Sequence, residues 1–405
     1  MRRLCICVAL LLSPLCAAQV TGTFSLDNSV FAVGDPVFLN LTISNEGDEP
    51  EQIVTADPYS FCSGYKIKIS RNGSPRISCS QNWGGSCASG GITVGPHARR
   101  TERILLNYPD NSRGDMNPPI RLPGAYTVDA VRTISYGPPG VISNVFENPE
   151  TTEVHQVFDI DVDGTRHVDS SKYAAFINQL ASPDEQIRRE AARTLATLAP
   201  PSLEPLLLTF ATSKDYVLQE SAPLALSNLA SNASLAALAE MLTRTQPGTY
   251  ESMSSAEYLG RTHDPKWFPV LLAFADRHAP IYLPYAAQSG GEAAIPALLA
   301  RLRSTEPGVR TSAIYALGST GSRAAVPVLI SLLNVAIPSS ENSSSDDAVT
   351  ANAALEQLTH EYIDRSSPGP WVEQARQRWQ QWWRAAGQNA KTYLPGECVA
   401  DTELP

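Results

Sequence analysis

The run Glu190-Ala191-Ala192-Arg193-Thr194-Leu195-Ala196-Thr197-Leu198 sets a small residue and two leucines at i, i+4 and i+7, which is one face of an α-helix. The same face returns down the chain. Small residues recur at Ala191, Ala222, Ser255, Ala286, Ala313 and Ala351. Four positions on stand Leu195, Leu226, Leu259, Gly290, Leu317 and Leu355, and seven on stand Leu198, Leu229, Thr262, Ala293, Thr320 and Leu358. The spacings of 31, 33, 31, 27 and 38 average 32, a period expected of stacked helix pairs. An upstream series, Ala174, Pro205, Ala237, Pro269, Pro296 and Pro327, leads a first helix in each of six units. Only the last unit breaks step, and its excess maps to 338–347, a Ser- and Asp-rich tract that reads as a flexible inter-helix insertion.

Units of this length, with small residues where helices cross and a proline in the first helix, resemble HEAT repeats. The resemblance covers a solenoid of six helical pairs over residues 168–365 and implies a surface that binds proteins. Ser366-Ser367-Pro368-Gly369-Pro370 breaks the array, and Trp371 to Ala386 reads as one more amphipathic helix in a closing segment, 366–390. Ala375, Trp379, Trp382 and Ala386 share its face, and a terminal repeat needs such a cover for its apolar side. A stacking platform for a sugar or aromatic ligand is the other use for these tryptophans. Residues 391–405 read as a tail.

Ahead of the helices the texture differs. Phe38-Leu39-Asn40-Leu41-Thr42-Ile43, Tyr65-Lys66-Ile67-Lys68-Ile69, Arg103-Ile104-Leu105-Leu106 and Tyr126-Thr127-Val128-Asp129-Ala130-Val131 alternate between turn residues, the mark of antiparallel strands. Seven to nine such strands predict an all-β sandwich over 19–167, so the chain as a whole is multidomain, β-sandwich then all-α solenoid. Phe31-Ala32-Val33-Gly34-Asp35-Pro36-Val37, Thr42-Ile43-Ser44-Asn45-Glu46-Gly47-Asp48-Glu49-Pro50 and Leu122-Pro123-Gly124-Ala125-Tyr126-Thr127-Val128 resemble exported Ig-like domains of the BsuPI proteinase-inhibitor type. Those motifs are turn chemistry and imply a fold more than an activity.

Met1-Arg2-Arg3, the apolar stretch Leu4 to Leu15 and Cys16-Ala17-Ala18-Gln19 read as a cleavable secretory signal over 1–18, too short to span a bilayer. This predicts a periplasmic or extracellular protein without membrane insertion after cleavage. The chain holds 31 Lys and Arg against 41 Asp and Glu; without Arg2 and Arg3 the balance is 29 against 41. Neither half is basic, since 19–167 carries 11 against 17 and the remainder 18 against 24, which argues against nucleic acid as a partner.

Removal of the signal leaves Cys62, Cys79, Cys87 and Cys398, an even set that predicts disulfides in an oxidising setting. Three connectivities are open. Asn72-Gly73 suggests a hairpin whose paired positions would bring Cys62 near 83 or 84, slightly favouring Cys62–Cys87. Asp159-Ile160-Asp161-Val162-Asp163-Gly164 opens like a calcium loop, but the twelfth position is Ser170 and the preceding segment looks like a strand, so Asp159, Asp161 and Asp163 are weak metal candidates. Gly84-Gly85-Ser86-Cys87-Ala88 lacks the final glycine of a nucleophile elbow, and the six histidines show no zinc spacing. No catalytic residue and no cofactor is assigned. The sequence thus predicts an exported, non-catalytic scaffold binding a protein partner. Alternatives are an extracytoplasmic proteinase inhibitor acting through sandwich loops and an enzyme of bilin-lyase-like type, whose phycobiliprotein substrates an exported protein would not meet.

Overall fold

The computed structural model describes residues 19–56, 65–72, 77–79, 89–107, 120, 122–139, 150–168, 170–333, 343–362, 371–395 and 398–400. Among them are ten N-terminal strands: β1 (Val20–Leu26), β2 (Val30–Val33), β3 (Phe38–Asn45), β4 (Glu51–Ala56), β5 (Tyr65–Arg71), β6 (Ile77–Cys79), β7 (Ser89–Val94), β8 (Arg99–Leu105), β9 (Gly124–Gly137) and β10 (Glu150–His167). One sheet runs β1-β3-β8 and the other β2-β10-β9-β4-β7, with β5 also paired to β9. Alternation fills the space between them. Phe24, Leu39, Leu41, Ile43 and Ile104 of the first sheet meet Ile53, Val128, Ala130, Ile134, Ile160 and Val162 of the second in one core. The sheets approach closely at Gly22, where a Cβ would stand 2.6 Å from Val154 and 2.9 Å from Ile134.

Buried polar side chains fix the turns. Asn45 donates to the carbonyls of Glu49 (2.7 Å) and Val94 (3.1 Å), and its Oδ1 accepts from the Gly47 amide (3.0 Å). Asn107 donates to Asp35 and Ile120 carbonyls and accepts from the Val37 amide at 2.7 Å. Fully buried Tyr126 donates its hydroxyl to the Leu122 carbonyl at 2.8 Å, tying the start of β9 to the turn before it.

Among the described residues, β5 does not pair with β6 across Asn72-Gly73. β5 pairs instead with β9, from Tyr65 opposite Arg132 to Arg71 opposite Tyr126, and the Asn72 amide continues that ladder to the Ala125 carbonyl. The fourteen-residue β9 offers a long buried edge, shared by β4 at one end and β5 at the other, and this outweighs the local turn signal. The ground for favouring Cys62–Cys87 from that hairpin therefore falls away. Cys62 and Cys87 lie outside the described residues.

The helices then alternate in six pairs: α1 (Ser170–Gln179) with α2 (Glu185–Leu198), α3 (Glu204–Phe210) with α4 (Tyr216–Leu229), α5 (Asn232–Arg244) with α6 (Tyr250–Arg261), α7 (Phe268–Arg277) with α8 (Leu283–Gly290), α9 (Ile295–Arg301) with α10 (Pro307–Ser319), and α11 (Ala325–Leu332) with α12 (Ser343–Thr359). α13 (Trp371–Ala386) follows, and a short strand, β11 (Cys398–Ala400), pairs with β6. Each of the six small residues, Ala191 to Ala351, is fully buried, as are the leucines at i+4. The i+7 set is looser. Ala293 falls outside α8, which ends at Gly290 because Gly291 turns to φ 55°. Pro205, Pro269 and Pro296 occupy the second position of α3, α7 and α9, where a missing amide proton costs nothing, so they start the helices without kinking them. Two residues beyond each, Leu207, Leu271 and Leu298 are fully buried.

Part of 338–347 differs from expectation. α12 already begins at Ser343, and buried Asp347 pairs with Arg310 of α10 and accepts from Thr311 at 3.2 Å, which draws the end of the polar tract onto the stack. The two domains are joined by packing. Phe38 and Leu105 of the sheets belong to the same apolar cluster as Tyr173, Phe176 and the solenoid core. Arg103 pairs with Glu190, Lys172 with Asp35 at 2.7 Å, and Tyr173 donates to the Gly34 carbonyl at 3.1 Å.

Candidate interaction surface

The second helices, α2, α4, α6, α8, α10 and α12, pack side by side in one continuous row, while the first helices touch each other sparsely. The array therefore curves toward the second helices, and their outward side chains line its inner surface. Lateral ion pairs run along that row. Arg188 of α2 pairs with Asp215 at 3.1 Å, and Arg189 bridges Glu220 of α4 and Glu185 of its own helix. The Arg189 guanidinium also donates to the Tyr216 hydroxyl at 3.2 Å and lies over its ring. Hydrogen bonds from Tyr216 and Arg189 hold the Glu185 carboxyl below the usual range.

Farther along, Tyr250 is half-exposed; its hydroxyl bonds Ser254 and feels the charges of Arg193, Glu220 and Glu257. Glu257 pairs with Arg261 at 2.6 Å one turn on. These two, with Tyr285, Gln288, Tyr315, Ser319 and Pro395 of the C-terminal segment, wall a small recess across α6, α8 and α10. Burial, and next the charge of Glu257, raise Tyr285 far above the ordinary tyrosine range, and burial raises Tyr315, so both remain neutral hydroxyl donors. Tyrosine and arginine in a concave strip are suited to anchoring a polypeptide: they offer large area, few rotors and polar tips. On the edge formed by the turns into the second helices lies a polar cleft of about 390 Å³, lined among others by Ser213, Gln219, Arg244, Gln246 and Glu251.

The opposite edge is occupied by the chain itself. After α13, the Tyr393 amide donates to Leu358 O at 2.8 Å, Thr392 Oγ1 to Gly321 O at 2.9 Å, and Gln288 Nε2 to Pro395 O at 3.2 Å. The first residues of the segment read as a tail are thus bound to three successive units. α13 packs on α11 and α12 with Ala375 and Trp379 buried; Trp379 Nε1 donates to Asn352 Oδ1 at 2.8 Å and Trp382 Nε1 to Glu361 at 3.0 Å.

Asp159, Asp161 and Asp163 sit on β10, alternating with buried Ile160 and Val162, and the residues from Glu150 up to them are strand. Asp159 accepts from Thr127, and Asp163 from the amide and hydroxyl of Thr165, bonds that hold the exposed Asp163 carboxyl below its usual range. Among the described residues no three His, Cys, Asp or Glu side chains are grouped to share an ion, and no helix is long and apolar enough to cross a membrane. The tyrosine strip escaped sequence reading. Tyr216, Tyr250, Tyr285 and Tyr315 fall six before, five before, one before and two after their small residues, so they leave no periodic trace.

Comparison with known proteins supports the helical half. The family described as HEAT repeats matches residues 173–253 and 283–339. No curated protein sequence matches the chain. Among solved structures, the complex of CpcE and CpcF of phycocyanin lyase from Nostoc is similar at 16% identity and TM-score 0.32, over 53% of this chain and 96% of that one. Salmonella alpha-2-macroglobulin is similar in a mutant form at 12% identity and TM-score 0.20, over 96% of this chain and 30% of that one. Its methylamine-reacted form gives 14% and 0.18, over 90% and 27%.

Proposed function

We propose that this chain is an exported, non-catalytic scaffold whose solenoid holds an extended segment of a protein partner on the inner surface of the second helices. The observation that carries the reading is the strip of Arg189, Tyr216, Tyr250, Glu257 and Tyr315 on a curved helical face, with buried Tyr285 beneath it. Its charges are paired laterally, which suits a neutral or mixed partner better than a polyanion. The shared core at Phe38 and Leu105 makes the β domain a fixed platform beside that strip, and the Tyr126 hydroxyl bond favours an Ig-like reading of it, since such a bond secures the corner of many Greek-key sandwiches. The BsuPI-type likeness and the periplasmic or extracellular address belong to the same proposal, as do the cysteines 62, 79, 87 and 398 as disulfide partners.

Capture from an envelope extract tests it, with Tyr250→Ala and Leu299→Ala in parallel. Both residues are exposed, but Leu299 lies on α9, outside the strip. Loss of the captured protein with the first variant and not the second is the expected result. Equal retention by both variants, or inhibition of secreted proteases by the parent, would replace the scaffold with another reading.

A further inference from the structure

We propose that Cys79 and Cys398 form a disulfide that locks residues 391–395 as a strap from the far end of the solenoid back to the β domain. The proposal is independent of the partner inferred above. It starts from register. β11 pairs antiparallel with β6, with Cys398 opposite Cys79, Val399 opposite Ser78 and Ala400 opposite Ile77. Directly opposed residues of antiparallel strands lie on one face with Cα atoms about 4.5 or 5.5 Å apart, and both spacings fall inside the roughly 4.4 to 6.8 Å a disulfide spans.

The path of the chain gives the bond a purpose. Tyr393 bonds the sixth pair at Leu358 and stacks on His360 with ring centres 4.2 Å apart. Thr392 bonds the fifth at Gly321, where a Cβ would stand 2.5 Å from Leu394, and Pro395 is held by Gln288 of the fourth. Residues 392–395 thus touch the fifth, sixth and fourth pairs, and three residues later the chain is on β6. Leu358 O is among the last carbonyls of α12, which lack partners within the helix, and Gly321 O lies in the left-handed turn just beyond α10, so the strap supplies donors at both places. A segment so short, held by few bonds, is loose with one tether and firm with two. In the closing step the two thiols lose their protons and two electrons to the disulfide of an oxidant such as glutathione disulfide. That bond breaks to two thiols as the protein's sulfur–sulfur bond forms.

The test equilibrates the purified chain with glutathione disulfide, alkylates free thiols and maps peptides without reductant. A linked pair containing Cys79 and Cys398 is expected. Amide exchange at Tyr393 should then be slower in the oxidised parent than in Cys79→Ser or Cys398→Ser by roughly ten- to a hundredfold. Cys398 left open to alkylation, or linked to Cys62 or Cys87, would overturn the proposal. So would a Tyr393 exchange rate unchanged by either variant while circular dichroism shows the fold intact.

Discussion

Replacing Trp379 with Ala removes the largest fully buried side chain from the junction of α13 with α11 and α12. Large aromatic-to-alanine changes in a core cost about 3 to 5 kcal/mol. The indole also donates to Asn352, itself fully buried, so truncation leaves Asn352 Oδ1 without that donor, which adds about 1 to 3 kcal/mol unless water enters the space. Trp379→Phe separates the two effects, since it keeps most of the volume and loses only the donor, and should cost about 1 to 3 kcal/mol. A solenoid unit depends on its neighbours, so the damage should appear at the end of the stack first. Hydrogen exchange in Trp379→Ala should quicken at Leu355, Leu358 and Tyr393, by about a thousandfold for 4 kcal/mol, and stay near parent values at Ile43 and Val128. Unchanged exchange in α12 would refute the capping argument, and so would uniform acceleration through both domains.

Other consequences can be measured directly. Ala199 and Ala230 cap α2 and α4 at φ 38° and 50°, so Ala199→Gly and Ala230→Gly should each stabilise the chain by about 1 kcal/mol in denaturant titration. Burial, and then the charge of Glu150, raises the Glu51 carboxyl pKa above its usual value. The folded state therefore holds its proton more tightly than the unfolded chain, and this group's contribution, complete below the unfolded pKa, is lost as pH rises through the folded one. Glu51→Gln should accordingly melt higher than the parent at neutral pH and lose that advantage under acid. Asp161→Asn and Asp163→Asn on the open face of β10 should change stability by under about 0.5 kcal/mol, with or without added calcium in a thermal melt.

The helix pairs were legible because each crossing needs a small residue, and Ala191 to Ala351 supply it at a period no loop disguises. Helix ends were harder to read. The second helices stop in left-handed residues, but Ala199, Ala230, His263 and His360 fill four of those places instead of glycine, so the usual punctuation is missing. Pairing of β5 with β9 was hidden for a different reason: a local Asn-Gly signal competes with a partner 60 residues away that sequence alone does not announce. The strap left no pattern either. Two of its bonds go to main-chain carbonyls of Leu358 and Gly321, which carry no trace in residue type. Of the surface strip, arginines and tyrosines were visible as residues but not as a row, because their alignment follows from stacking and not from repeat register.

The most direct measurement places a photoreactive side chain at Tyr250, on the inner surface, and in a second protein at Leu299, on an outer helix, and irradiates each in an envelope extract. A discrete protein adduct from position 250 and none from 299 is the predicted result. Adducts of equal yield from both positions, or from 299 alone, would contradict the assignment of the second-helix row as the binding face.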